Sequence, residues 1–175
     1  MRCTILLALS LLGAAGLVAA LDHAPAASPP VAKKAPSARP PRTEVVTVRP
    51  PADVANRQGL RQFVGVSGAT AGARGLSMNL IVIPPGGAAK PHLHRGFESA
   101  IYILKGRAET RYGPGLQKSV VNQAGDFLFI PPDLPHQPRN LSTTEPVLAI
   151  VARNDPNEQE SVVHYGGEAP SPARP

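Results

Sequence analysis

Three histidines and one glutamate form the pattern in this 175-residue chain that most clearly predicts chemistry. His92, His94 and Glu98 lie close together before an apolar run, and His136 follows in a second, proline-rich stretch. Alternate side chains of a β-strand share a face, so His92 and His94 are expected to point the same way. A turn after His94 can bring Glu98 back toward them. Imidazole and carboxylate groups bind divalent metals, so the pattern predicts one divalent metal ion held with positions left for a ligand.

The composition restricts which metal this would be. The only cysteine is Cys3, so a thiolate site is excluded and iron(II), manganese(II) and zinc(II) are the first candidates. No organic cofactor is predicted. Three of the five histidines fall at interpretable spacings, which makes a purely structural barrel with adventitious metal binding the weaker interpretation.

Residues 1–20 have the composition of a secretory signal peptide. A positive Arg2 precedes an apolar stretch, and small residues end it at Ala20, so cleavage is expected before Leu21. This predicts a periplasmic or secreted protein with no stable membrane insertion after cleavage. The alternative is an uncleaved N-terminal anchor, although the apolar stretch is short against the roughly 20 residues that span a bilayer.

The rest of the chain divides by composition. Residues 21–59 are rich in alanine and proline and are expected to form a linker. Residues 60–165 carry short β-type runs separated by Gly and Pro, which predicts an all-β domain with little or no helix. Residues 166–175 are expected to form a flexible tail. The predicted strands cover residues 62–66, 76–83, 98–104, 108–112, 119–122, 127–130, 137–141, 147–152 and 161–165.

The charge excludes one class of partner. The formal net charge is +6, from 18 basic and 12 acidic residues, and the charged residues are scattered along the chain. No basic run lies beside an aromatic platform, so the sequence predicts no nucleic-acid binding.

The first histidine stretch resembles the first motif of the cupin superfamily, G-x5-H-x-H-x3/4-E-x6-G. The positions that match in order are Gly86, His92, His94 and Glu98. Gly106 follows Glu98 after seven residues instead of six, which predicts a looser turn or a bulge.

The second stretch resembles the second cupin motif, G-x5-P-x-G-x2-H-x3-N. The matching residues are Gly125, Pro131, His136 and Asn140. Asp133 stands where the family has glycine. Because Asp adopts left-handed turn geometry more readily than most residues, the turn is expected to survive.

This resemblance implies a double-stranded β-helix, a jelly-roll-like barrel with His92, His94, Glu98 and His136 around one metal inside. Cupins include dioxygenases, isomerases, decarboxylases and binding proteins, so the fold does not choose the function. Two functions stay open: a metal-dependent dioxygenase- or isomerase-type enzyme acting on a small molecule, and a non-enzymatic exported protein that binds a metal or a small ligand. Similar small cupins often form homodimers, which is the partner expected here.

The catalytic residues are not determined by the sequence. Glu98 could leave the metal and act as a base, and strand alternation puts Tyr102 on its face, where a core role is the alternative. Residues next to the motifs that face the interior are otherwise expected to be mostly apolar. Further polar candidates are Arg107, Arg111, Tyr112, Gln137, Arg139 and Asn140, the last expected to bond the backbone at its turn.

Overall fold

The structure is a computed structural model that describes residues 43–50, 52–157, 159 and 161–167. The predicted signal peptide and most of the predicted linker and tail lie outside these residues. The strands are β1 (Val54–Ala55), β2 (Arg61–Val66), β3 (Ser77–Ile83), β4 (His92–His94), β5 (Ser99–Lys105), β6 (Arg107–Tyr112), β7 (Lys118–Gln123), β8 (Phe127–Ile130), β9 (His136–Asn140), β10 (Val147–Arg153) and β11 (Val162–His164).

The strands form two antiparallel sheets. The larger sheet has the order β1-β2-β3-β10-β5-β8, and the smaller one has the order β11-β4-β9-β6-β7. Side chains of both sheets line one interior cavity, so the sheets face each other in a jelly-roll arrangement. The predicted all-β fold class is confirmed.

Strand alternation builds the core between the sheets. In β3 and β10 every second residue points inward, and the apolar ones are packed together. This core contains only aliphatic side chains and none of the three histidines. Its buried members are Leu60, Ile83, Ala89, Ile103, Ala108, Val147 and Ala149.

The folded domain begins earlier than the sequence predicts. β1 pairs with β2, and the Gln58 carbonyl accepts a hydrogen bond from the Lys90 backbone, so residues from Val54 onward belong to the domain and not to a linker. The expectation of little helix agrees with the four-residue helix α1 (Gly68–Ala71) and one 3-10 turn (Pro114–Leu116). Within the described part of the chain, no helix has the length and apolar character needed to cross a membrane.

The extra residue before Gly106 is absorbed by a bulge, which is one of the two alternatives predicted. On β10, Leu148 pairs with Lys105 and Ala149 pairs with Ile103, which leaves Leu104 as the additional residue. Gly106 then turns the chain with φ of +87°, a conformation that favours glycine. The bulge therefore lies at the end of β5 that precedes this turn.

Candidate metal centre

Two short strands bring the three predicted histidines together. His92 and His94 are alternate residues of β4, and His92 lies directly opposite His136 of the neighbouring strand β9. One ring nitrogen from each lies within 4.8 Å of the other two. All three side chains are buried, with 3–4% of their surface exposed. Strand alternation and antiparallel register thus produce a cluster of three imidazoles that could hold a metal ion.

Backbone carbonyls orient two of these rings. His92 Nδ1 lies 2.8 Å from the Lys90 carbonyl oxygen, and His136 Nδ1 lies 2.9 Å from that of Leu134. A carbonyl oxygen only accepts, so both Nδ1 atoms carry the proton and donate. Each Nε2 is left with a lone pair, which is the form that binds a metal.

Burial keeps the cluster neutral. Desolvation lowers the pKa of His92 and His94 well below the ordinary histidine value, and it lowers the pKa of His136 to about 4. The positive charge of Arg153 lowers all three further. At neutral pH the site therefore presents three uncharged imidazoles, as metal binding requires.

Glu98 is not part of this cluster, which corrects the predicted four-ligand set. Its side chain is exposed, and among the described residues the group that could hold a metal ion contains the three histidines alone. The backbone N–H of Glu98 donates to Asn154 Oδ1 just before β5 begins. The next residue, Ser99, points inward and is 2% exposed. Because alternate residues of β5 face opposite sides, an inward Ser99 forces Glu98 outward.

Arg153 lies beside the histidines and was missed by the sequence reasoning. It is buried at the end of β10, where it stands opposite Ser99 of β5. Its Nε donates to Ser99 Oγ over 3.0 Å, and its Nη2 donates to His94 Nε2 over 2.9 Å. The alternation of inward residues Val147, Ala149 and Val151 along β10 is the pattern that could have revealed it.

The cavity around the histidines is small and is lined by both apolar and polar side chains. Its volume is about 70 Å³, more than one water molecule occupies. Most of its lining surface is apolar, in line with the expectation, but the sequence did not indicate the five side-chain amides that line it together with the hydroxyls of Ser99 and Thr110. These amides belong to Asn56, Gln58, Gln62, Asn79 and Gln159.

The donor atoms fit a divalent metal ion in type and spacing. His92 and His136 each offer a free Nε2 lone pair, whereas the Nε2 lone pair of His94 accepts the hydrogen bond from Arg153. His94 Nδ1 is buried without a hydrogen-bond partner among the described residues. A metal ion can therefore be held by the Nε2 atoms of all three histidines if Arg153 gives up its hydrogen bond to His94 Nε2.

The other predicted polar candidates lie away from the cavity. Tyr102 is on the outer face of the larger sheet, where its ring centroid lies 4.6 Å from that of Phe127, itself 81% exposed. Its predicted proximity to the metal site, and its alternative role in the core, were both wrong. The remaining candidates that do not line the cavity are Arg107, Arg111, Tyr112, Gln137, Arg139 and Asn140.

Asn140 has the structural role that was predicted. Its side-chain Nδ2 donates to three backbone carbonyl oxygens, and its Oδ1 accepts from the backbone N–H of Ser142. The side chain is buried but does not line the cavity, so it is not in contact with a ligand there. It stabilises the turn that follows β9.

Asp133 takes the left-handed conformation predicted for the position that is glycine in the family motif. Its φ is +60°, and its Oδ1 accepts a hydrogen bond from the backbone N–H of Gly96. Its own backbone N–H donates to the carbonyl oxygen of His94. The carboxylate thus ties the loop before His136 to the turn after His94.

Comparisons with known proteins agree with this geometry. A family model described as a cupin domain matches residues 79–153. Over 127 residues the chain is 31% identical to Germin-like protein subfamily T member 3 of Arabidopsis thaliana. The aligned part is 70% of this chain and 52% of the relative, so the chain spans about half the length of that protein.

Solved structures show the same fold at low identity. The oxalate decarboxylase of Lactobacillus farciminis, solved as a formate complex, has a TM-score of 0.55 at 21% identity, covering 64% of this chain and 32% of that one. A Bacillus subtilis oxalate decarboxylase studied for its Mn(II) centres has a TM-score of 0.55 at 16% identity, covering 65% and 29%. These likenesses support the architecture of the domain.

Proposed function

The chain belongs to the cupin superfamily, and from this premise we propose that it binds one divalent metal ion through His92, His94 and His136 and acts on a small molecule in the same cavity. The observation that carries the proposal is the cluster of three buried, neutral imidazoles with ring nitrogens within 4.8 Å of one another. Such a set needs no thiolate or carboxylate to bind a first-row metal.

A bound ion would supply Lewis acidity toward a ligand oxygen and, if it were iron, electrons for dioxygen chemistry. The protein contributes orientation and exclusion of water. The Lys90 and Leu134 carbonyls fix the rings of His92 and His136, and burial removes the cluster from bulk solvent. Both effects reduce the reorganisation needed when a ligand binds.

If the protein is an enzyme, we favour a dioxygenase-type reaction over an isomerisation. Isomerisation of a small molecule needs a group that takes and returns a proton. Among the described residues that line the cavity there is no carboxylate, and Glu98 faces outward. The same observation favours non-enzymatic binding of a metal and a small ligand as the second candidate.

The first experiment measures the metal content of the purified full-length chain beside His92→Ala and His136→Ala. The matched control is His164→Ala, because His164 is exposed and outside the cluster. We expect about one iron, manganese or zinc per chain in the wild type and in the control, and loss of it in the two cluster variants. A wild-type chain that stays metal-free after reloading with each ion would sink the proposal.

A second experiment separates catalysis from binding. Oxygen uptake is followed with the iron- or manganese-loaded chain and a panel of small carboxylic acids and catechols, beside His136→Ala. Uptake that depends on the substrate and on His136 supports a dioxygenase-type enzyme. Metal and ligand binding without turnover supports the binding function.

The proposals on export and assembly rest on separate features. We propose an exported protein because residues 1–20 carry the features of a signal peptide, and N-terminal sequencing of the mature chain tests this.

We propose a homodimer formed through the outer face near the edge strand β8, where Phe127 is 81% and Phe129 is 59% exposed. Sedimentation of wild type and Phe127→Ser tests the dimer, which the substitution should weaken.

A further inference from the structure

The hairpin between β1 and β2 forms one wall of the cavity. The backbone N–H of Lys90 donates to the Gln58 carbonyl oxygen over 2.8 Å, and the Lys90 carbonyl oxygen in turn lies 2.8 Å from His92 Nδ1. The hairpin is therefore attached to the segment that orients the first histidine of the cluster. The hairpin residues that line the cavity are Asn56, Gln58, Leu60 and Gln62.

Hydrogen bonds determine which way the side-chain amide of Gln62 points. Asn56 Oδ1 accepts from the backbone N–H of Leu60, so Asn56 Nδ2 is the atom that donates to Gln62 Oε1 over 3.3 Å. Gln159 Oε1 accepts from the backbone N–H of Arg57, and Gln159 Nε2 donates to Gln62 Oε1 over 3.0 Å. Because two donors hold Gln62 Oε1, the other end of this amide is the NH₂ group.

The NH₂ group of Gln62 is a buried donor that is not used. Gln62 is 2% exposed, and its Nε2 has no hydrogen-bond partner among the described residues. The same holds for Oε1 of the buried Gln58, which is an acceptor in the lining of the same cavity. A buried polar atom without a hydrogen bond is unfavourable. The wall therefore favours a ligand that accepts from Gln62 and donates to Gln58.

The hairpin wall suits an uncharged ligand. Its cavity-lining residues carry three amides and one apolar side chain, and neutral amides do not compensate the charge of a buried ion. Carboxamide and hydroxyl groups are neutral, and each both accepts and donates hydrogen bonds. The cavity volume of about 70 Å³ restricts such a ligand to a few heavy atoms.

We propose that Gln58 and Gln62 select a small uncharged ligand whose carboxamide or hydroxyl group accepts from Gln62 Nε2 and donates to Gln58 Oε1. The inference rests on the proposed function, because it names the class of molecule that the cavity beside the histidines takes. The two glutamines determine which ligand is bound and take no part in a reaction at the histidines.

The first test compares four probes of similar size on the metal-free, ¹⁵N-labelled full-length chain. Acetamide and propan-2-ol both donate and accept, acetone accepts only, and acetate accepts and is charged. NMR follows the side-chain NH₂ signals of Gln58 and Gln62 during each titration. Acetamide or propan-2-ol should bind with a Kd on the order of 10 mM, as expected for a ligand of so few atoms. Acetone and acetate should bind about tenfold more weakly, which is the effect of one hydrogen bond.

The comparison of acetamide with propan-2-ol identifies the chemical group. Tighter binding of acetamide assigns the ligand to the carboxamides, and tighter binding of propan-2-ol assigns it to the alcohols. Either result supports selection by the two glutamines, provided that acetone and acetate bind more weakly.

The second test removes each amide in turn. Gln58→Met deletes the acceptor and Gln62→Met deletes the donor at similar side-chain size, and each should weaken the preferred probe about tenfold. The signal of the remaining glutamine reports binding. Gln123→Met is the matched control, because Gln123 is exposed on β7 and does not line the cavity, and it should leave the Kd unchanged. Circular dichroism checks folding. If Gln62→Met does not fold, Gln58→Met and the four probes on the wild type decide.

The outcomes distinguish this inference from the metal function. If the wild type binds acetamide and propan-2-ol no more tightly than acetone and acetate, the inference is overturned, and metal binding by the histidines still stands. Selective binding that persists unchanged in Gln58→Met and Gln62→Met also overturns it. If Mn²⁺, Fe²⁺ and Zn²⁺ all fail to bind while the probes bind selectively through the two glutamines, the metal function fails and ligand selection stands.

Discussion

Ser99 and Arg153 stand opposite each other on β5 and β10, and Arg153 Nε donates to Ser99 Oγ over 3.0 Å. Both are buried, at 2% and 8% exposed. This pairing fixes Ser99 on the inner face of its strand and thereby places Glu98 on the outside. The side chain next to the histidines is consequently the hydroxyl of Ser99, which accepts a hydrogen bond from the guanidinium of Arg153. The sequence pattern had predicted the carboxylate of Glu98 at this place.

Replacing Ser99 with alanine should destabilise the fold. The substitution leaves a buried, charged donor without its hydroxyl acceptor, which costs about 1.5–3 kcal/mol for a hydrogen bond to a charged group. Urea denaturation of the metal-free chain measures the free energy of unfolding. Ser119→Ala, at an exposed position of β7, is the control and should stay within about 0.5 kcal/mol of wild type. Equal effects of the two substitutions would contradict a structural role for the Ser99 hydroxyl.

Glu98→Gln should leave metal affinity unchanged within about twofold. The side chain is exposed and is not among the residues that form the metal-binding group, so removing its charge deletes no ligand. Calorimetric titration with Mn²⁺ or Zn²⁺ checks this, with His94→Ala as the variant that should lose tight binding. A large loss of affinity in Glu98→Gln would show that the carboxylate turns inward when metal is present.

The metal-free protein should lose stability between about pH 6.5 and pH 4. Burial lowers the pKa of His136 to about 4 in the folded state, whereas an unfolded histidine titrates near 6.5. As pH falls through this window the unfolded chain takes up the proton first, so the free energy of unfolding decreases. For His136 alone the decrease is on the order of 3 kcal/mol.

The pH effect is measured by urea denaturation of wild type and His136→Gln at several pH values. As pH falls, the free energy of unfolding should decrease less in the variant than in the wild type. His92 and His94 still contribute to the decrease in both proteins, because their pKa values are also lowered in the folded state. Hydrogen bonds from Arg61 and Lys105 lower the pKa of Asp53 and Glu145, so these carboxylates begin to lose their contribution only as pH falls below about 4.5, at the acid end of the histidine window. Identical pH profiles for wild type and variant would refute the effect of His136.

Gly106→Ala should destabilise the protein by at least about 1–2 kcal/mol. The residue has φ of +87°, and an added Cβ would lie 2.8 Å from the carbonyl oxygen of Pro146. Gly75→Ala is the matched control, because a Cβ there meets no atom within 4 Å. Thermal or urea denaturation of both variants decides the prediction. A loss in Gly75→Ala as large as in Gly106→Ala would contradict it.

Local periodicity was sufficient to predict most strands and the shared face of His92 and His94. These features depend on residues two positions apart in the chain, which the sequence displays directly. The second motif also placed His136 correctly, and the left-handed φ of Asp133 followed from the turn chemistry of aspartate.

The choice between Glu98 and Ser99 could not be made from the sequence. They are neighbours, and a one-residue change of register exchanges the two faces of a strand. The register is set by pairing with β10, whose Arg153 lies 54 residues from Ser99 along the chain. Such a long-range pairing leaves no local pattern, and for the same reason the contact between Arg153 and His94 was not predicted.

The position of β4 between β9 and β11 has a consequence for how the site is completed. Strand β11 pairs with all three residues of β4, including both histidines, whereas β9 meets β4 through one residue pair. Ribosomal synthesis delivers every histidine of the cluster before it delivers β11. A nascent or truncated chain that ends before Val162 thus contains all three histidines of the cluster but lacks the strand that pairs with two of them. Amide protons of β4 should therefore exchange rapidly until β11 docks.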